Sequence, residues 1–211
     1  MSNHSTLSKC LLAPAWMASL DLKDAYLHVP IRRNLHKFLA LTCWGKLFFF
    51  RSLPFGLATA RWLFSLLMEQ ALAELRNKGI NILGYIDDLV LWNQNKQLLE
   101  EHVERTVSFL VGLGLTLNWE KSCPSPASSL IWVGVDWDGL KGLWSPQQKL
   151  LERIQSQARR LTTQELGTRR QWESFLGLEA FAAQLNQRAK HWSHPVSQIG
   201  LFDHTVDQGR S

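Results

Sequence analysis

Apolar residues recur along this chain in two rhythms, one of short strand-like runs and one of helical spacing. "WMASLDLKDAY" (16–26) reads as a strand that ends near Asp21 and runs into a turn, and "KLFFFRSLPFG" (46–56) as a strand stopped by Pro54 and Gly56. "ATARWLFSLLMEQALAELRNKG" (58–79) has the spacing of a long helix closed by Gly79. "INILGYIDDLVLW" (80–92) then reads as two short apolar strands, 81–86 and 89–92, with Asp87 and Asp88 at their junction.

Leu99, Val103, Val107, Leu110 and Val111 carry a second helix from about Lys96 to Leu113. "GLTLNW" (114–119) and "SSLIWVGVDWDG" (128–139) look like strands, and Asp138-Gly139 is a good hairpin turn. Beyond residue 140 the texture is helical. Ser145 as a cap and Pro146 at the first helical position open a helix through Leu150, Ile154, Ala158 and Leu161. Thr168 with Gln171 three residues on opens another over 169–189. The expectation is an α+β domain over 1–140 and a helical segment over 141–211.

Composition supports a folded protein: 211 residues, 45% hydrophobic and 19% charged. No apolar run reaches the roughly 18 residues that span a bilayer, and the N-terminus lacks the pattern of a signal peptide. The expected location is intracellular, cytoplasmic or nuclear, with no membrane partner. Cys10, Cys43 and Cys123 lie far apart and read as free thiols. The scattered histidines, His102, His191 and His194 among them, do not suggest zinc. The net charge of +5 is uneven, with 13 Lys/Arg against 12 Asp/Glu in 1–140 and 10 against 6 in 141–211. A basic C-terminal third fits contact with a polyanion, and fits a solvated basic face equally well.

The chemistry is concentrated in carboxylates. An Asp pair on a rigid turn supplies hard oxygen ligands suited to Mg²⁺, and Asp21 at another strand end is a third donor. An Asp pair also suits an ordinary turn. Cations held by such carboxylates, beside a basic arm, suggest phosphoryl transfer.

Five segments resemble the motifs of reverse transcriptases, in that family's order. They are "LDLKDAY" (20–26), "LPFGLATARWLF" (53–64), "YIDD" (85–88), "GLTLNWEKS" (114–122) and "IWVGVDWD" (131–138). In detail they look most like DIRS-type retrotransposons, with gypsy-type elements next, and the resemblance runs from about residue 12 to 195. It implies a right-hand polymerase palm, an antiparallel sheet packed on helices, with partial fingers over 1–140 and a thumb or connection segment over 141–211 without an RNase H domain.

The resemblance also implies residue roles. Asp21 and Asp87 would bind two Mg²⁺ ions, or Mn²⁺ in their place, helped by the Leu22 backbone carbonyl, and Asp88 would complete the acidic cluster. Tyr26 beside Ala25 would be a steric gate favouring deoxynucleoside triphosphates. Phe55 and Gly56 would contact the incoming nucleotide, Lys121 would lie near its pyrophosphate, and Trp132, Val133 and Gly134 would grip the primer. The partners would be a primed RNA or DNA template and deoxynucleoside triphosphates. Ala60-Arg61 stands where the family reads Ala-Pro. The expected activity is RNA-directed DNA polymerisation; the competing expectation is an inactive retroelement remnant that at most binds nucleic acid.

Overall fold

The computed structural model describes residues 4–11, 14–163 and 168–185. Two compact units divide the chain, Met1–Leu143 and Trp144–Ser211. In the first unit, helix α1 (His4–Cys10) leads into strand β1 (Trp16–Asp21). Two 3-10 turns follow, Ala25–His28 and Arg33–Phe38, and then strands β2 (Ala40–Cys43) and β3 (Lys46–Phe49). Helix α2 (Ala60–Asn77), strands β4 (Ile82–Tyr85) and β5 (Asp88–Asn93) and helix α3 (Lys96–Gly112) come next, followed by strands β6 (Cys123–Ala127), β7 (Ser129–Trp132) and β8 (Val135–Asp138). Strand β9 (Leu143–Pro146) stands at the boundary, and the second unit contains helices α4 (Gln148–Thr163) and α5 (Arg169–Leu185).

The central sheet has the order β4-β5-β1-β6, with antiparallel pairing throughout. One face carries Ala18, Leu20, Ile82, Leu89 and Leu91 into a core shared with Phe64, Met68, Leu72 and Leu75 of α2 and Leu99, Val103 and Leu110 of α3. These helical residues recur at intervals of three, four and seven, so each helix turns one stripe inward. Asn95 caps α3, its side chain accepting from the N–H groups of Gln97 and Leu98. Burying one Leu in such a core contributes about 1.5–3 kcal/mol. Gly84 lies close against α2, where an added Cβ would fall 2.6 Å from a Leu72 methyl and oblige that side chain to shift.

Several boundaries differ from the pattern in the sequence. The "KLFFFRSLPFG" strand ends at Phe49 and pairs with β2 as a separate two-stranded ribbon. "GLTLNW" shrinks to a single bridge between Leu117 and Leu22. "SSLIWVGVDWDG" folds back at Val133-Gly134, both at positive φ, into the β7–β8 hairpin. Ser145 and Pro146 lie in β9 and do not cap α4, which starts at Gln148. Val111 is exposed on α3, off the buried stripe.

Thr168 and Gln171 do open α5: the Gln171 side chain accepts from the Thr168 N–H at 2.8 Å and from its hydroxyl at 3.0 Å. The continuation of that helix to residue 189, and His191 and His194, lie outside the described residues. Among the described residues no helix is long and apolar enough to cross a membrane.

Candidate active site

Strand register assembles the site. Asp21 of β1 stands opposite Asp88 of β5, which in turn stands opposite Tyr85 of β4. Directly opposed residues share a sheet face, so Asp21, Asp88 and Tyr85 form one row, while Leu20, Leu89 and Gly84 in the next row point into the core. Asp88 therefore belongs to a strand, not to the turn where the sequence pattern set it. The turn itself is Ile86-Asp87, which leaves Asp87 at the tip. Ile86 has φ +59°, a left-handed conformation that costs a β-branched residue about 1–3 kcal/mol and persists only where its surroundings impose it.

Backbone hydrogen bonds fix the carboxylates from below. The Leu22 N–H donates to the Asp87 carbonyl at 2.9 Å, tying the tip to β1. The Asp21 N–H donates to the Ser122 hydroxyl oxygen at 3.0 Å, and that hydroxyl donates to the Asn118 carbonyl at 2.7 Å. The Asn118 N–H donates back to the Asp21 carbonyl at 2.8 Å. Segment 118–122 thus clamps Asp21 and brings exposed Lys121 within electrostatic reach of Asp88.

Asp21 is only 9% exposed. The carboxyl of Asp88 is pushed up to about 6, first by burial, then by the charges of Asp87 and Asp21, with Lys121 opposing; a hydrogen bond with Asp21 also favours its protonated form. Among the described residues no three His, Cys, Asp or Glu side chains converge closely enough to hold a metal ion. The donor chemistry nevertheless fits a hard divalent cation. Three carboxylates repel one another at one end of a sheet, and Mg²⁺ or Mn²⁺ is the counter-charge such oxygens favour.

The remaining expected residues surround the row unevenly. The Tyr26 ring meets Phe55 edge-on at 5.3 Å and Phe64 at 5.6 Å, so it is held as a wall between a surface loop and the core. Ala25 is buried beside it, whereas Phe55 and Gly56 (φ +82°) are exposed. Trp132 is 2% exposed and its indole N–H donates to the Asp88 carbonyl at 3.4 Å, so it supports the carboxylate strand from inside. Only Val133 and Gly134, at the tip of the β7–β8 hairpin, reach the surface there.

Two contacts were not foreseen. The Ser122 hydroxyl orders Asp21 from the end of the "GLTLNWEKS" segment, where a lone Ser carries no signal. Arg61 donates to the Tyr85 hydroxyl at 2.5 Å and lies 5.3 Å from the centre of its ring. Its replacement of a family proline was the available clue.

The family model described as "Reverse transcriptase (RNA-dependent DNA polymerase)" matches residues 3–137. Protein P of duck hepatitis B virus is 29% identical over 137 residues, 64% of this chain and 16% of that protein. The Transposon Tf2-3 polyprotein of Schizosaccharomyces pombe is 23% identical over 180 residues, 85% of this chain and 13% of that protein. The chain thus spans less than a fifth of these relatives. Among solved structures, the foamy viral protease-reverse transcriptase dRH in complex with double-stranded DNA covers 96% of this chain, with 34% of its own length matched, at a TM-score of 0.74 and 18% identity. The same enzyme with an RNA/DNA hybrid matches 80% of this chain and 21% of its own length, at 0.66 and 20%.

Proposed function

The chain belongs to the reverse transcriptase family, and from that premise we propose that it is the palm of an RNA-directed DNA polymerase, with residues 141–211 as its thumb or connection segment. The observation that carries this reading is the row Asp21–Asp88 with Asp87 at the adjoining tip. The DIRS-like detail of the motifs belongs to the same proposal, and a retroelement source is supported by the likeness to a transposon polyprotein.

Its substrates are a primed RNA or DNA template, a class supported by the nucleic-acid-bound neighbours, and deoxynucleoside triphosphates. Asp21 and Asp87 would hold divalent cations, with Asp88 completing the donor set; bound there, such ions supply charge neutralisation at the reacting phosphate and a lower pKa for the primer hydroxyl. The protein's own residues do the positioning. The Leu22 and Ser122 hydrogen bonds fix the two ligands, and Tyr26, braced by two Phe rings, limits the space beside the sugar. Phe55 and Gly56 offer an exposed surface to the incoming nucleotide, and Lys121 a cation to its phosphates.

The test is primer extension on an RNA template with Mg²⁺. Wild type extends with deoxynucleotides far better than with ribonucleotides, and Asp87→Asn abolishes extension. A wild-type protein that binds primer–template and never extends it establishes the inactive remnant instead.

A further inference from the structure

The carboxylate hairpin is well held on one side only. Strand β5 is hydrogen-bonded to β1, whereas β4 is an edge that pairs only with β5 among the described residues, its outer side met near its start by Arg76, which donates to the Ile82 carbonyl at 2.9 Å. Between α2 and that edge lies a cavity of about 200 Å³ lined by Trp62, Ser65, Leu66, Gly84 and Ile86 among others, so packing beneath the tip is incomplete. The tip also contains the strained Ile86. Ile82 and Leu83 anchor the start of β4 in the core, but the strained turn beside the cavity persists only where its surroundings restrain it.

Arg61 is placed to do this. It lies in the first turn of α2, where the helix dipole disfavours a cation, where Thr59 makes no side-chain cap and where no acidic residue is present. Nothing in the helix explains it. Across the flank, however, its guanidinium both donates to the Tyr85 hydroxyl and lies within cation–π range of the ring. Both of these contacts are to the tyrosine.

We infer that Arg61 is a positioning residue: its latch on Tyr85 ties the free flank of the β4–β5 hairpin to α2 and keeps Asp87 and Asp88 in register with Asp21. Proline at this position could not make the contact. The latch is a property of the folded chain, and only its kinetic consequence rests on the polymerase reading.

Hydrogen exchange of the β4–β5 amides in the metal-free protein tests the latch directly. Arg61→Ala raises hairpin exchange about tenfold, as expected for losing one hydrogen bond and one cation–π contact, while β1 and α3 amides are unchanged. Tyr85→Phe gives a smaller rise, and the double variant exceeds Arg61→Ala by little. In primer extension, Arg61→Ala lowers kcat about tenfold and leaves nucleotide KM and primer–template Kd within about twofold. Unchanged hairpin exchange, or a uniform rise across the protein, overturns the inference. So does a weakened Kd with intact exchange, which would make Arg61 a nucleic-acid contact. Should wild type extend no primer, the polymerase reading fails, and the exchange data still decide the latch.

Discussion

The central sheet and the β2–β3 ribbon draw on the same residue types and end in opposite situations. In the sheet, β1 and β5 are buried along most of their length, with Trp16, Ser19, Asp88, Trp92 and Asn93 half-buried and none of their residues exposed. In the ribbon, Leu47 and Phe49 lie on one face and Leu41 and Phe48 on the other, all of them exposed. Trp44, at the ribbon's turn, is 91% exposed. The sheet can hold three acids at its end because its own core stabilises it; the ribbon has apolar side chains on both faces and no core of its own. An isolated two-stranded hairpin is marginally stable, and large uncovered apolar patches mark surfaces that meet other molecules. Apolar sequence therefore does not report burial. Partner elements do.

The largest expected effect is in the sheet. Leu91→Ala, at a fully buried position packed among both helices, costs about 2–5 kcal/mol, read from urea denaturation; a loss below about 1 kcal/mol would break the contrast with the ribbon.

A smaller effect follows pH. Because the Asp88 carboxyl is raised to about 6 from 3.8, the stability from holding its proton is complete below about pH 4 and is lost as pH rises through 6. The full shift corresponds to about 3 kcal/mol, which solvent access to this half-buried group reduces to about 1 kcal/mol. Asp88→Asn removes that dependence in metal-free thermal melts, and a flat wild-type profile between pH 4 and 7 would contradict it.

The smallest effect is in the ribbon. Phe48→Ser changes the stability of this chain by no more than about 0.5 kcal/mol, and a loss comparable to Leu91→Ala would show that the ribbon is as well supported as the sheet.

How much was visible in the residues follows the same division. β1, α2, β5 and α3 were legible because their periodicity coincides with burial. β6 was not, since "CPSPA" reads as a loop and becomes a strand only because it lies at an edge, where proline is tolerated. The β7–β8 turn was hidden because Val133 adopts a positive φ that its residue type does not advertise. In the site, the three aspartates were evident from residue type and motif order. Their row was not, since it depends on which residues face each other across two strand pairs. The burial of Trp132 against β5 was not legible either, since motif position says nothing of the direction its ring takes.

The edge strand β6 has one further consequence. Pro124 and Pro126 are two residues apart, so their missing N–H groups fall on the same side of the strand, while Cys123 and Ala127 on the alternate positions pair with β1. The outward edge therefore presents carbonyls with few donors, and no incoming strand can complete a ladder on it. Sheet growth is stopped at that end. Growth of the central sheet is thereby left to β4, where Arg76 already donates to the Ile82 carbonyl at 2.9 Å and Arg61 donates to the Tyr85 hydroxyl. The central sheet is thus open to a further strand only along β4, the strand that ends at Tyr85 beside the carboxylates.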